Sequence, residues 1–436
     1  MTKKNILLIL HVATFATSNL ISLMIMKIFK SVIILVLVAL VCNANIYSQE
    51  LSDEEILSRI IRFKPSNGMK IPKNIKDRLG ATHVSGKYHL TNEAFIVEGA
   101  KQINRLGYGI LKLWFDVEKD YAKGYIYNSS WNLEKNITPE KLAGHPYYKS
   151  CFDLPFTAIS LCLNERFPGV SDIDSQSLQI VEKNMYDLTK YLLETYRERS
   201  VTFIIQNWEG DWLLRGGTGE ASRWHLHGAP SNYPIRVKNM CDWITARQKG
   251  VNKARMEAGK SRCKVLHAVE ANRVMDGMNG IPSIATHVLP EVEIDLVSWS
   301  AYDGIAQDGG IKLYRGIDFL RSRLRTTPYM KGEKTVMIGE IGYPENINNR
   351  TKEEVCKMWD SFMGVFLSQN IPYIFHWELY CNEPKTNESG NKPYPLKKAE
   401  ELRGFWLIRP DGTESWAQQY LSSLLKQSGG KYKCNS

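Results

Sequence analysis

Hydrophobic and polar positions along the chain alternate between two patterns. One is a short apolar run with hardly a charge, and the other a longer stretch with apolar residues at helical spacing. The apolar runs are Ala81–Val84, Gly109–Phe115, Phe156–Leu163, Val201–Asn207, Val265–Val269, Ile294–Ser300, Thr335–Glu340 and Tyr373–Trp377. Such runs read as strands buried on both faces, as in a parallel sheet. Between the first two, Asn92 to Leu106 has Phe95, Val97, Ala100, Ile103 and Leu106 near helical spacing, and Leu178–Arg197 and Val355–Ser368 look similar. Strands alternating with helices argue for parallel βαβ units. Eight of them predict an α/β fold, a (β/α)8 TIM barrel, as a single domain over residues 81–428. Ahead of it, residues 49–80 read as an N-terminal helix, opened by the capping box Ser52-Asp-Glu-Glu55, and a connecting segment; residues 429–436 read as a tail.

The first 48 residues follow a different pattern. Met26-Lys-Ile-Phe-Lys30 is a basic stretch, Val32 to Val41 is apolar, and Ala44 and Ser48 offer small residues for cleavage. Together they read as a secretory signal peptide, with Met26 as the true start and the preceding residues as an upstream mis-start. The chain is therefore expected to be secreted or periplasmic, with no membrane span once mature. Removing residues 1–48 takes away four lysines and no acid, so the net charge of +10 falls to +6. With no basic run, that excess does not argue for nucleic acid and is compatible with an anionic polysaccharide. Beyond Cys42 there are seven cysteines, widely spread and without a CxxC pair, so neither a zinc site nor another cofactor is expected. Cys241 and Cys263, which bracket the fourth helix and the entry to the fifth strand, are expected to meet.

The candidate chemistry lies at two strand ends. Val201 to Ile205 is β-branched or aromatic throughout, and the chain then turns polar at Gln206, Asn207, Glu209 and Asp211. In a parallel barrel that switch marks where a strand leaves the core and enters the active-site mouth. Continued alternation would place Ile205, Asn207 and Glu209 on one face. The seventh strand ends the same way, with Glu340 in Ile338-Gly-Glu-Ile-Gly342. Two carboxylates facing each other across a barrel mouth suit glycoside hydrolysis: one protonates the leaving oxygen, and the other attacks the anomeric carbon or activates water. Trp114, Trp208, Trp212, Trp224, Trp299, Tyr302, Tyr343, Trp377 and Tyr380 cluster at the same level, and aromatic rings are platforms for the apolar faces of sugars. The long insertion after the second strand, Asp116 to Ser150, carries Tyr121, Tyr125, Tyr127, Trp131, Tyr147 and Tyr148, and is expected to overhang the mouth.

With these motifs the chain resembles the clan A glycoside hydrolases, retaining barrels whose acid/base closes strand four and whose nucleophile closes strand seven. Asn207-Trp-Glu209 is similar to the clan's Asn-Glu motif, with Trp208 interposed; Ile338-Gly-Glu340 is similar to its nucleophile strand. The resemblance implies Glu209 as general acid/base and Glu340 as nucleophile, and Asn207 as partner of a sugar hydroxyl. It also implies Tyr302 as hydrogen-bond donor to the nucleophile, and Trp377 as a sugar platform. Gly404 to Gly412 resembles the clan's closing segment, and Leu-Lys112-Leu-Trp114 stands where many members carry Arg. Trp208, Trp212, Trp114, Lys112, Glu270 and His227 complete the expected substrate contacts. Aromatic surroundings should raise the pKa of Glu209, while Glu340 is expected to be ionised.

Other readings stay open. Glu270 ends strand five and Glu378 ends strand eight, and either is a candidate acid or substrate ligand; Asp211 and Asp303 are weaker candidates. A catalytically inactive barrel that binds glycan would keep the aromatics without needing both glutamates. A metal-dependent barrel hydrolase would draw on His225, His227, His267 and Asp303. No Gly-x-Ser-x-Gly and no glycine-rich phosphate loop is present.

Overall fold

A computed structural model of the chain describes residues 51–117, 124–164 and 170–433. The expected signal segment, Cys42, Tyr121 and Cys434 lie outside these. The chain from Ile56 onward forms one compact unit, and residues up to Glu55 fall outside it. Of the latter only 51–55 are described, where Ser52 and Glu55 cap each other as expected, Glu55 N–H donating to Ser52 Oγ at 3.2 Å.

From Ile56 onward the chain closes into an all-parallel barrel of eight strands. In chain order they are β1 Leu79–His83, β2 Ile110–Asp116, β3 Ala158–Asn164, β4 Thr202–Gln206, β5 Lys264–Ala271, β6 Leu296–Ser300, β7 Thr335–Ile341 and β8 Ile374–His376. Each pairs with its sequence neighbours, and β8 returns to β1 through Leu79 opposite Ile374. All eight runs read from the sequence are present, because a strand buried on both faces carries apolar residues at nearly every position. The flanking helices include Phe95–Arg105, Ser175–Thr195 and Lys352–Ser368. Asp174 caps the second of these by accepting from Ser177 N–H at 2.7 Å. Thr351 and Glu354 form a reciprocal capping box at the start of the third.

Two details depart from the sequence reading. The sixth run is not one strand: Glu293–Ile294 pairs with Arg325–Thr326 outside the barrel, and only Leu296–Ser300 enters it. The break is at Asp295, a fully buried carboxylate that accepts from Arg255 Nη1 at 2.8 Å and from His267 N–H at 2.9 Å. Cys241 and Cys263 do not bridge, and both are free thiols. The helix Tyr233–Ala258 separates them: at about 1.5 Å per residue, Cys241 sits roughly 25 Å along it from the turn leading into Cys263. Among the described residues, no helix is long and apolar enough to cross a membrane.

The barrel base is filled by Ile110, Ala158, Ile204, Leu266, Ala268, Leu296, Met337 and Phe375, all buried. Burying a large aliphatic or aromatic side chain of this kind stabilises by about 1.5–3 kcal/mol. This plug makes the lumen a packed core and leaves only the C-terminal ends of the strands open.

Candidate active site

One step above the plug, the lumen-facing residues become polar. Lys112 Nζ on β2 donates to Glu270 Oε1 on β5 at 3.2 Å and to Glu340 Oε1 on β7 at 3.0 Å. Its third proton goes to the carbonyl of Gly339 at 3.1 Å. The side chains of Lys112 and Glu270 are wholly buried. Gly339 is required there, because a Cβ would lie 2.0 Å from Ser298 Oγ and 2.4 Å from Glu270 Oε1. The register between β6 and β7 then shifts, bringing Ser300 opposite Glu340. Glu340 therefore also points into the lumen, one level higher.

Glu209 arrives by a different route. Strand β4 ends at Gln206, whose side chain points into the lumen, with Nε2 donating to Glu270 Oε1 at 2.8 Å. The expected shared face of Ile205, Asn207 and Glu209 is therefore not the route to the site. The backbone breaks at Glu209, which has φ +23° and precedes the helix Gly210–Arg215. Positive φ is rare for a residue with a Cβ and clusters at functional sites. Gly210 follows because a Cβ there would lie 2.4 Å from the carbonyl oxygen of Glu270. This turn brings the Glu209 carboxyl into the same cavity as Glu340.

The two carboxyls differ electrostatically. Burial pushes Glu209 well above the ordinary carboxylate range, Glu340 and Glu270 push it further, and Lys112 and Trp212 pull the other way. Burial also raises Glu340, to about 7, but the Lys112 ammonium and its hydrogen bond counter this directly. Of the two, Glu340 is the one with an ammonium at hydrogen-bond distance. Lys112 stays charged, since Glu270 and Glu340 overturn the effect of its own burial.

The cavity holds about 490 Å³ and is lined by Trp114, Trp208, Tyr302 and Trp377 together with Glu209 and Glu340. Trp114 and Trp377 lie 5.9 Å apart between ring centroids and form one aromatic wall. Gly124 and Tyr125 of the long insertion line it as well, so that segment does reach the mouth. Tyr302 is close, but its buried hydroxyl has no hydrogen-bond partner; the donor to Glu340 is Lys112 instead. Trp224, Trp299 and Tyr380 are core residues. Trp212 is half-buried behind Glu209, beneath the guanidinium groups of Arg215 and Arg273.

Several expected substrate contacts are structural. Asn207 uses its amide on the backbone, accepting from Glu270 N–H at 3.1 Å and donating to the Trp208 carbonyl at 3.2 Å. Lys112 and Glu270 lie below the cavity floor, fully occupied by one another and their neighbours. His227 is exposed on the short helix Trp224–His227, where it pairs with Glu220 at 2.8 Å, away from the cavity. Asp211 accepts from the backbone of Asn272, Arg273 and Ile284, and Asp303 from Met275 N–H and the Trp299 indole. Glu378 is fully buried and accepts from Asn382 N–H at 2.8 Å. His267 packs with Arg247 and Gln248 behind β5. Among the described residues, no group of three His, Cys, Asp or Glu could hold a metal ion.

Five polar lining residues are not among the sequence candidates: Ser85, Asp116, Asn164, Asn382 and Glu383. Asp116 and Asn164 close β2 and β3 with the same apolar-to-polar switch that marks β4, so the signal was present. Asn382 and Glu383 sit in the loop after β8, where nothing local distinguishes them. Glu383 Oε1 accepts from the Trp377 indole N–H at 3.3 Å, and its other oxygen pairs with Arg403.

This arrangement defines a (β/α)8 barrel with a carboxyl pair and an aromatic wall at the C-terminal mouth, and solved structures share the fold. A GH5_18 protein from Streptomyces cattleya in complex with Manb1-4GlcNAc aligns at 10% identity over 80% of this chain and 80% of its own, with a TM-score of 0.50. A glycoside hydrolase 5 lichenase from Caldicellulosiruptor sp. F32 with cellotetraose aligns at 12% identity over 83% of this chain and 97% of its own, also with a TM-score of 0.50. At these identities the likeness is one of fold. No protein-family model matches the sequence, and neither does any curated protein.

Proposed function

We propose that the chain is an exported glycoside hydrolase of the clan A type that cleaves by a retaining double displacement. The observation that carries this reading is the convergence of Glu209 and Glu340, from opposite sides of the barrel, on one aromatic-walled cavity. Glu340, held at Oε1 by Lys112, attacks the anomeric carbon and forms a glycosyl ester. Glu209 gives its proton to the departing oxygen, then takes one from the water that cleaves the ester. Trp114, Trp208 and Trp377 offer platforms for sugar rings, with Asn164 and Asn382 beside them for hydroxyls. Among the described residues the lining carries Asp116, Glu209, Glu340 and Glu383 and neither lysine nor arginine, which favours a neutral sugar over an anionic polymer. Export rests on the signal-like pattern from Met26 to Ser48.

The test is a panel of neutral β-1,4-linked gluco- and manno-oligosaccharides beside sulfated and uronic polymers, assayed for new reducing ends. Proton NMR of the first product then reads the anomer. Cleavage of a neutral substrate with retained configuration is expected. Inversion would remove Glu340 as nucleophile, and cleavage of nothing on the panel would count against the enzyme.

A further inference from the structure

Glu270 is not among the described residues that line the cavity and is wholly buried, yet four donors converge on its carboxylate. Oε1 accepts from Lys112 Nζ at 3.2 Å, Gln206 Nε2 at 2.8 Å and Ser298 Oγ at 3.0 Å. Oε2 accepts the backbone N–H of Glu209 at 2.9 Å. Those donors come from β2, β4, β6 and the turn that carries Glu209. A buried charge of this kind adds little to stability that apolar packing could not supply. The barrel is nonetheless shaped for it, since Gly339 leaves out the Cβ that would collide with Oε1.

We propose that Glu270 is the positioning residue that couples the two carboxyls of the site: Oε2 tethers the backbone of Glu209, and Oε1 anchors the lysine that holds Glu340. This rests on the assignment of Glu209 and Glu340 above, and adds what sets their geometry and charge. Glu209 sits on a strained turn, and its N–H bond to Glu270 is a link from that turn to β5. Lys112 shares its charge between Glu270 and Glu340, so the negative charge of Glu270 limits how far Lys112 can favour the ionised form of Glu340. The titratable groups facing this cluster are Lys112 on β2, Cys162 on β3, Glu209 after β4, Tyr302 after β6, Glu340 on β7 and Glu378 after β8; β6 itself presents Ser298.

The test compares E270Q and E270D in the full chain. Carboxyl ¹³C NMR follows the titration of Glu340 and Glu209, assigned with E340Q and E209Q, and kcat and KM are measured alongside on an aryl glycoside. In E270Q the amide oxygen can serve the three donors at Oε1, which leaves an NH2 against Glu209 N–H. The charge and the tether are then both lost. The Glu340 midpoint should fall by about one unit or more, because the negative charge that competes for the Lys112 ammonium and opposes ionisation of Glu340 is gone. Turnover should fall on the order of 100-fold with KM little changed, as for a misplaced catalytic group. E270D keeps the charge but is one methylene too short to reach both ends. Its Glu340 midpoint should stay near that of the parent while turnover drops. An unmoved Glu340 midpoint in folded E270Q, or parental turnover in E270D, would overturn the proposal. If the parent cleaves no glycoside, the functional reading fails, and the NMR titrations still decide whether Glu270 couples the two groups.

Discussion

The barrel lumen has two storeys built from the same strands. The lower holds Ile110, Ala158, Ile204, Ala268, Leu296 and Met337. Two residues further along each strand, the upper holds Lys112, Ser160, Gln206, Glu270, Ser298 and Gly339. Alternation makes these pairs vertical neighbours about 7 Å apart. The lower storey is apolar and needs only matching volumes. In the upper one nearly every polar atom is used: Ser160 Oγ donates to Gln206 at 3.1 Å, and Gln206 and Ser298 donate to Glu270. Apolar packing and buried charge thus occupy separate layers, with the carboxyls of Glu209 and Glu340 standing on the second.

The largest expected effect is at Glu340. E340Q should lose on the order of 10⁴-fold or more in kcat on every substrate, because no glycosyl ester can form, while the melting temperature barely moves. A parallel drop in melting temperature would tie the mouth to the barrel base and blur the distinction. Next comes E209Q, expected to lose about 10²–10⁴-fold on a natural glycan. On an aryl glycoside, whose leaving group needs little protonation, the loss should be smaller and azide should restore turnover. Equal losses on both substrates, with no azide rescue, would remove the acid assignment.

Replacing Lys112 by Met tests the upper storey itself. It strips the cation from two buried carboxylates, so unfolding in denaturant should show a loss of about 3–5 kcal/mol. The pH dependence has a definite sign. Glu340 must be ionised to act, so kcat/KM of the parent should rise through about 7. Lys112 pulls that value down, so K112M should move the acid limb to higher pH. A limb that stays in place would mean Lys112 does not control Glu340. The smallest effect on chemistry belongs to the lower storey: I204A should cost about 2–5 kcal/mol of stability. Both limbs of its pH profile should stay put, and a shifted limb would show that the two layers are not separate.

How much of this was legible beforehand follows the range of the interactions involved. The eight strands were readable because each is buried on both sides and so carries a continuous apolar run. The same contrast marked Glu340, and it would have marked Asp116 and Asn164. Trp114, Trp208 and Trp377 were readable as strand-end aromatics. Only tertiary structure separated Glu340 from Glu270, since both are glutamates near the end of an apolar run. Pairing places Glu270 opposite Ser298, while the register shift after Gly339 brings Glu340 opposite Ser300, one level higher. Strand stagger and bulges come from pairing between distant segments, so no local pattern records them. The position of Glu209 was likewise decided by a backbone break that ends the alternation of β4, and that of His227 by a short exposed helix turned away from the mouth. A sequence fixes which residues can be buried or charged; which of them share a level of the lumen depends on how the barrel closes.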